Sequence, residues 1–219
     1  VYHHILYPPL LATLAARKSA KLDAGPAGSA PRPSATLIVP AHDEAAVIRQ
    51  KVANLAALQY PRERLSIVIA CDGCTDDTAQ IARDAAAAVP DTDIDIIVYG
   101  KNRGKVAVIN ELIEGAETEI VALSDASAML ERDALERSVA YFADTTVGVV
   151  CPTYQLMQPG SEGEAAYWRY QAKVKANEAI VAGGPLGAHG AFYLFRRSAW
   201  RPLPADTIND DFILPSRIL

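Results

Sequence analysis

Cysteine is scarce in this 219-residue sequence: Cys71, Cys74 and Cys151 are the only three. So sparse and odd a set argues against a disulfide framework and for a reducing compartment. Cys71 and Cys74 have the spacing of a redox pair, but Asp72 and Gly73 lie between them and no second pair follows, so Cys71 reads as core. Basic runs are also missing. The 21 basic residues are outnumbered by 26 acidic ones, giving a formal net charge of -5, and nothing resembles a patch able to neutralise a phosphate backbone. Nucleic acid is excluded as a partner on that ground. There is no internal repeat, and no apolar stretch is long enough to cross a bilayer by itself. What is present is an apolar half of the composition, sufficient for the core of one globular domain.

The N-terminal stretch from Val1 to Ala16 is mostly apolar, and Arg17, Lys18 and Lys21 follow it. Residues 1–18 therefore fit two readings: the trailing end of a transmembrane helix with basic residues on its cytoplasmic side, or an interfacial amphipathic cap. A signal peptide would carry its basic residues before the apolar run. Residues 19–34 are rich in Ala, Gly, Pro and Ser and read as a linker. From Ala35 onward, apolar runs alternate with helical patterns. The expected strands are 35–39, 65–71, 94–99 and 119–124, and the expected helices 44–58, 76–89 and 105–115. This rhythm predicts an α/β fold, a mainly parallel sheet with helices on both faces. Later come a helix near 131–142, a strand near 147–152, a long amphipathic helix from about 161 to 182, a Gly-rich loop 183–190, a strand 191–196 and the opening of a helix at 211–219. The chain stops there without a closing element, which reads as a domain incomplete at its C-terminus.

In an open parallel sheet, ligands sit beyond the carboxyl ends of the strands. Those positions are polar here: Pro40 to Glu44, Asp72 to Asp77, Lys101 to Lys105, and Asp125 to Ser127. Some of that polarity has a plain structural reading, since Thr75 and Asp76 are good helix caps. Three cations in Lys101–Lys105 beside acidic loops point to an anionic ligand such as a diphosphate. Asp125 carries the most information. A carboxylate at the mouth of a buried strand is costly unless paired or metal-bound, and hard oxygen ligands select Mg²⁺ or Mn²⁺; the alternative is a cap for the helix that follows.

Taken in order, Val-Pro-Ala-His-Asp-Glu at 39–44, Asp-Gly-Cys-Thr-Asp at 72–76, Lys-Asn-Arg-Gly-Lys at 101–105, Ser-Asp-Ala-Ser at 124–127 and Asn-Asp-Asp-Phe-Ile-Leu at 209–214 resemble the family-2 inverting glycosyltransferases of the GT-A fold. The resemblance implies a catalytic domain over 35–219, with a nucleotide-binding half at about 35–127 and an acceptor half at about 128–219. It implies a nucleotide-sugar donor, with UDP the commonest base, held by Pro40, Ala41, Glu44, Asp72, Lys101, Gly104, Lys105, Ser124 and Asp125. Asp125 would carry the metal, but the family's second metal aspartate is replaced by Ser127. Asp210 and Asp211 match the family's Glu-Asp motif, with Asp211 the implied general base. Gly187, His189 and Gly190 fall in the Gly-rich segment beside the acceptor. The implied acceptor is a glycan or a lipid-linked sugar, and the implied setting the cytoplasmic face of a bacterial membrane, in polysaccharide or glycolipid synthesis. Two competitors differ in class. A non-catalytic nucleotide-sugar-binding scaffold is favoured by the missing aspartate, whereas a sugar nucleotidyltransferase would want a Gly-rich loop after the first strand, where Pro40–Glu44 has no glycine.

Overall fold

Alternating apolar runs and helix-forming segments assemble, in a computed structural model that describes residues 6–18, 32–153, 160–184, 188 and 190–218, around one six-stranded sheet. Strands β1 (Ala35–Ala41), β2 (Leu65–Asp72), β3 (Ile94–Tyr99) and β4 (Ile120–Leu123) run parallel. Strand β6 (Tyr193–Arg196) lies antiparallel to β4, and β5 (Val149–Val150) antiparallel to β6. The spatial order is β3-β2-β1-β4-β6-β5. After β1 the chain winds outward through β2 and β3, then returns to place β4 on the other side of β1. The crevice beyond the carboxyl ends of β1 and β4 is therefore the switch point at which an open sheet of this kind binds ligands. The α/β expectation holds.

Residues that alternate along the strands feed two cores. Leu37, Val39, Ile67, Ile69, Ile120 and Ala122 pack on one face, beneath α2 (Ile48–Ala56), α3 (Thr78–Ala87) and α5 (Ala134–Val139). Ile38, Val121, Leu123, Tyr193 and Phe195 pack on the other, with α4 (Lys105–Gly115) and α7 (Asp210–Ile218). β1 is buried on both sides because it is central, which is why it reads as a continuous apolar run.

Several expected boundaries shift. Helix α2 starts at Ile48, later than expected, because the Glu44 carbonyl first closes a turn on the Val47 and Ile48 amides. The helix expected near 131–142 is α5 followed by a 3₁₀ turn at Ala140–Ala143, and the strand expected at 147–152 shrinks to two residues. Helix α6 (Glu162–Ala182) opens on a cap in which Ser161 Oγ accepts the Glu164 amide at 3.1 Å, and it closes on left-handed Gly183. None of its described side chains is buried, so the amphipathic pattern expected there does not face the core.

Helix α1 (Tyr7–Lys18) lies on α6, burying Leu11 and Ala15. The Tyr7 hydroxyl donates to Glu178 at 2.7 Å and Lys18 Nζ to the Val181 carbonyl at 2.7 Å. The opposite face of α1 leaves Leu6, Leu10 and Leu14 exposed at 58%, 53% and 41%. No described helix is long and apolar enough to cross a membrane. Arg32 to Ser34, at the end of the segment read as a linker, are fastened to the sheet domain. Pro33 accepts the Tyr60 hydroxyl at 2.6 Å, Arg32 accepts Arg64 Nη1 at 2.8 Å, and Ser34 Oγ accepts the Glu119 amide at 3.0 Å.

Candidate active site

The polar loops after β1 and β2 interlock. Asp43, at a φ of 53°, holds its carboxylate against the Thr75 amide (2.7 Å), the Thr75 hydroxyl (3.0 Å) and the Asp76 amide (3.3 Å). The Glu44 amide donates to Thr78 Oγ1 at 2.7 Å and the Ala45 amide to Asp76 at 3.1 Å. Asp76 also accepts the Thr78 amide and hydroxyl, capping the first turn of α3. His42 Nδ1 lies 2.7 Å from the Asp72 carbonyl and donates to it. Hydrogen bonds to both Asp43 and Asp76 hold these carboxyls below the usual range. Much of the polarity that points to a ligand in the sequence is spent joining the two loops.

Asp72 is buried, and its two oxygens accept the Arg103 and Gly104 amides at 2.9 Å each. This anchors the start of α4, and with it Lys105, to the end of β2. The same approach dictates Gly73: a Cβ there would stand 2.0 Å from the Asn102 nitrogen. Lys101 is exposed on the turn. Pro40 and Ala41 close β1, with Ala41 buried. The Glu44 carboxylate is half-buried and takes no hydrogen bond from the described residues; burial, then the nearby Asp125 and Asp76 charges, push its pKa up.

At the switch point, four charged side chains meet around one glycine. Lys105 Nζ lies 3.2 Å from Asp125 Oδ1 and 3.2 Å from Asp210 Oδ2. The second contact is one of charge, without the alignment of a hydrogen bond. Gly190 passes its carbonyl to the Asp125 amide (3.2 Å) and its amide to Asp211 Oδ2 (3.1 Å). A Cβ at 190 would stand 2.8 Å from Asp125 Oδ2 and 3.4 Å from Asp211 Oδ2. Both carboxylates therefore close in on the position a side chain at 190 would take, and only glycine fits there without displacing them. Burial pushes the Asp210 carboxyl up, with Lys105 opposing. On Lys105, burial works downward, but Asp210 and Asp125 outweigh it and raise the ammonium.

Pro215 contributes to this arrangement. It lies inside α7 and has no N–H to offer the carbonyl four residues back. That carbonyl belongs to Asp211, and it accepts the Ala188 amide at 2.8 Å instead. The proline thus frees an acceptor that ties the Gly-rich segment to α7.

Asp125, Asp210, Asp211, Lys105 and Gly190 are brought together, Glu44 is close by, and Gly187 and His189 lie outside the described residues. Ser124 does not face the cleft. It is buried, accepting Lys51 Nζ at 2.7 Å and donating to the Ala191 carbonyl at 2.7 Å, because the strand end turns its hydroxyl into the protein. Sequence reasoning missed Lys51, since a lysine in a helical pattern ordinarily marks a solvated face.

A hard divalent cation would be held by Asp125, whose Oδ1 meets Lys105 while its Oδ2 lies on the Gly190 side. The exposed Ser127 adds no carboxylate, so Asp125 would share the ion with other oxygen ligands. Another set of potential ligands, His42, Asp43 and Cys74, lies within 4.8 Å of one another. The Asp43 oxygens are already taken up by Thr75 and Asp76.

Residues 31–217 match the model described as Glycosyltransferase like family 2. Among curated proteins, the chain is 29% identical over 203 residues to a beta-monoglucosyldiacylglycerol synthase of Synechocystis sp., an alignment covering 89% of this chain and 42% of that protein. It is 26% identical over 168 residues to a poly-beta-1,6-N-acetyl-D-glucosamine synthase of Staphylococcus aureus, covering 75% and 40%. The chain thus spans less than half the length of these relatives. Among solved structures, it resembles a mannosyltransferase from Pyrobaculum calidifontis in complex with GDP-Man and Mn²⁺, with a TM-score of 0.75, 28% identity, and coverage of 96% of this chain and 59% of that one.

Proposed function

The chain belongs to glycosyltransferase-like family 2, and on that premise we propose that it is the donor-binding and catalytic part of an inverting glycosyltransferase. The observation that carries the reading is the convergence of Asp125, Asp211 and the Lys105–Asp210 pair on Gly190 at the switch point. A nucleoside diphosphate sugar lies across the carboxyl ends of β1, β2 and β4. Glu44 takes part in holding its nucleoside end, and Lys105 meets the diphosphate. Asp72 acts indirectly, through the amides it fixes at the start of α4. Asp125 would hold Mg²⁺ or Mn²⁺, and such an ion would supply charge neutralisation for the departing diphosphate. The Mn²⁺ and GDP-Man in the Pyrobaculum structure support a metal and a nucleotide donor, and leave the base open between GDP and UDP.

Asp211 acts as the general base. Its carboxylate takes the proton of an acceptor hydroxyl while that oxygen attacks the anomeric carbon from the face opposite the diphosphate. The new C–O bond forms as the bond to the diphosphate oxygen breaks, so the centre inverts and a nucleoside diphosphate leaves. Asp210, held against Lys105, keeps that cation beside Asp125. The acceptor is a hydroxyl of a glycan or glycolipid; the Staphylococcus aureus relative, a polysaccharide synthase, supports the glycan, and the Synechocystis relative, which makes a glycolipid, supports chemistry at a lipid. Helix α1, with its leucine stripe ending in Arg17 and Lys18, lies on the cytoplasmic leaflet.

Calorimetric titration with UDP, GDP and dTDP, with and without Mn²⁺, tests the donor assignment, and one nucleotide should bind in a Mn²⁺-dependent manner. Asp211→Asn should keep that binding while turnover falls by about 10²–10⁴-fold. Unchanged turnover removes the base assignment, and nucleotide binding with neither transfer nor donor hydrolysis by the full-length protein would favour a non-catalytic scaffold.

A further inference from the structure

Lys51 is fully buried on the inner side of α2, where an ammonium is costly unless its hydrogens are satisfied. Its Nζ donates to Ser124 Oγ at 2.7 Å and to the Ala128 carbonyl at 2.6 Å. Those two residues flank Asp125–Ser127. One turn further along the same face of the helix, Asn54 donates to the Leu130 carbonyl at 2.7 Å and accepts the Leu130 amide at 2.8 Å. All four bonds end in the segment 124–130. Ser124 Oγ passes the connection on to the Ala191 carbonyl at 2.7 Å, beside Gly190, whose own carbonyl accepts the Asp125 amide. The backbone on either side of Asp125 is thereby held from the same buried nitrogen.

We propose that Lys51 and Asn54 form a clamp that sets the Asp125 carboxylate for the donor's divalent cation, with Lys51 a positioning residue acting through Ser124 and Ala128. This rests on the donor-site reading above. Packing alone does not call for a lysine, because an apolar chain of the same length fills the space without burying a charge. What lysine adds is two donors, one for the hydroxyl before Asp125 and one for a carbonyl after it. A partner that orients a metal ligand in this way sets affinity without touching the ion.

The test uses the whole chain with Lys51→Met, which keeps the length and removes the donors, and with Asn54→Ala, which removes the second pair of bonds at a half-buried position. Hydrogen exchange should quicken by about tenfold or more over residues 124–130 in both variants while the peptides of β1, β2 and β3 are unchanged, the pattern of local rather than global opening. Affinity for Mn²⁺ in the presence of UDP or GDP should fall by about tenfold to a hundredfold, whereas affinity for the nucleotide without metal should not move. A merely structural role would lower the melting temperature without that split. Unaltered exchange over 124–130 in a folded Lys51→Met protein overturns the clamp. Faster exchange with unaltered Mn²⁺ affinity overturns its positioning role. If Lys51→Met does not fold, Asn54→Ala decides by the same two readouts. Should the unmodified chain bind no nucleotide at all, the donor-site reading fails, and the exchange result still decides whether the clamp exists.

Discussion

The carboxylates of the site close in on a position that has no side chain. Adding one carbon to Gly190 places it 2.8 Å from Asp125 Oδ2. Gly190→Ala should move that carboxylate by a few tenths of an ångström to an ångström. Such a displacement lowers turnover by about a hundredfold in a site built on positioning. Steady-state kinetics, with circular dichroism to verify folding, measure it; turnover within a factor of two of the unmodified protein would mean that the close approach of Gly190 to Asp125 has no role. Lys51 yields a second residue-scale outcome. Burial lowers its pKa from 10.5 to about 7, with Asp125 opposing. Between those values the unfolded chain binds a proton that the folded chain does not, so stability rises with pH from about 7 toward 10, at no more than about 1.4 kcal/mol per pH unit. Below about 7 both states hold the proton and this contribution is flat. Urea unfolding of the unmodified chain and of Lys51→Met across this range isolates it, because the other titrating groups cancel in the difference. The stability of the unmodified chain relative to the variant should climb with pH, and a constant difference would mean that Lys51 stays charged throughout.

Elements carry these residues to the site, and α7 shows how a local defect in one element serves another. Pro215 removes the N–H that would occupy the Asp211 carbonyl, and Ala188 takes its place at 2.8 Å. Pro215→Ala restores the competing donor. The helix should gain up to about 3 kcal/mol, the usual cost of an interior proline, while the Ala188 amide loses protection in hydrogen exchange and turnover falls. Unchanged protection of Ala188 would show that the loop is held by other contacts. The order and class of the elements were legible in the sequence because strand-helix alternation is written in apolar runs of four to eight residues between helical patterns. The parts that were not legible are those in which tertiary contacts override the local pattern. Asp43, Thr75 and Asp76 read as ligand groups or isolated caps, but each bonds across to the neighbouring loop. Ser124 lies beside Asp125 in sequence yet faces inward toward Lys51 and Ala191. Lys51 and Asn54 have no local signature, since their partners lie more than 70 residues away. Asp125 and Lys105 were legible because one follows a strand and the other opens a helix in a run of polar residues, and the switch point gathers such positions, whereas Asp210, Asp211 and Gly190 were legible through the family resemblance.

At the scale of the whole molecule, α1 presents a row of leucines outward. Its inner face, Leu11 and Ala15, is covered by α6, while Leu6, Leu10 and Leu14 recur every four residues on the outside at 58%, 53% and 41% exposure. Arg17 and Lys18 follow at the C-terminal end of the same helix. An apolar stripe with cations at its margin is the pattern of a helix lying in the headgroup region of an anionic bilayer. Each half-exposed leucine transferred into lipid contributes about 1 kcal/mol, so replacing all three by serine should weaken partition onto anionic vesicles by about a hundredfold. Raised salt should weaken binding of the unmodified chain, because Arg17 and Lys18 add about 1 kcal/mol each through screened charge. Co-sedimentation with vesicles of mixed anionic and neutral lipid reads both effects. The serine variant should retain its nucleotide affinity, since none of the three leucines borders the switch point. Equal sedimentation of the variant and the unmodified chain would transfer the stripe from lipid to a protein partner. Loss of nucleotide binding together with loss of vesicle binding would instead show that α1 stabilises the domain through α6.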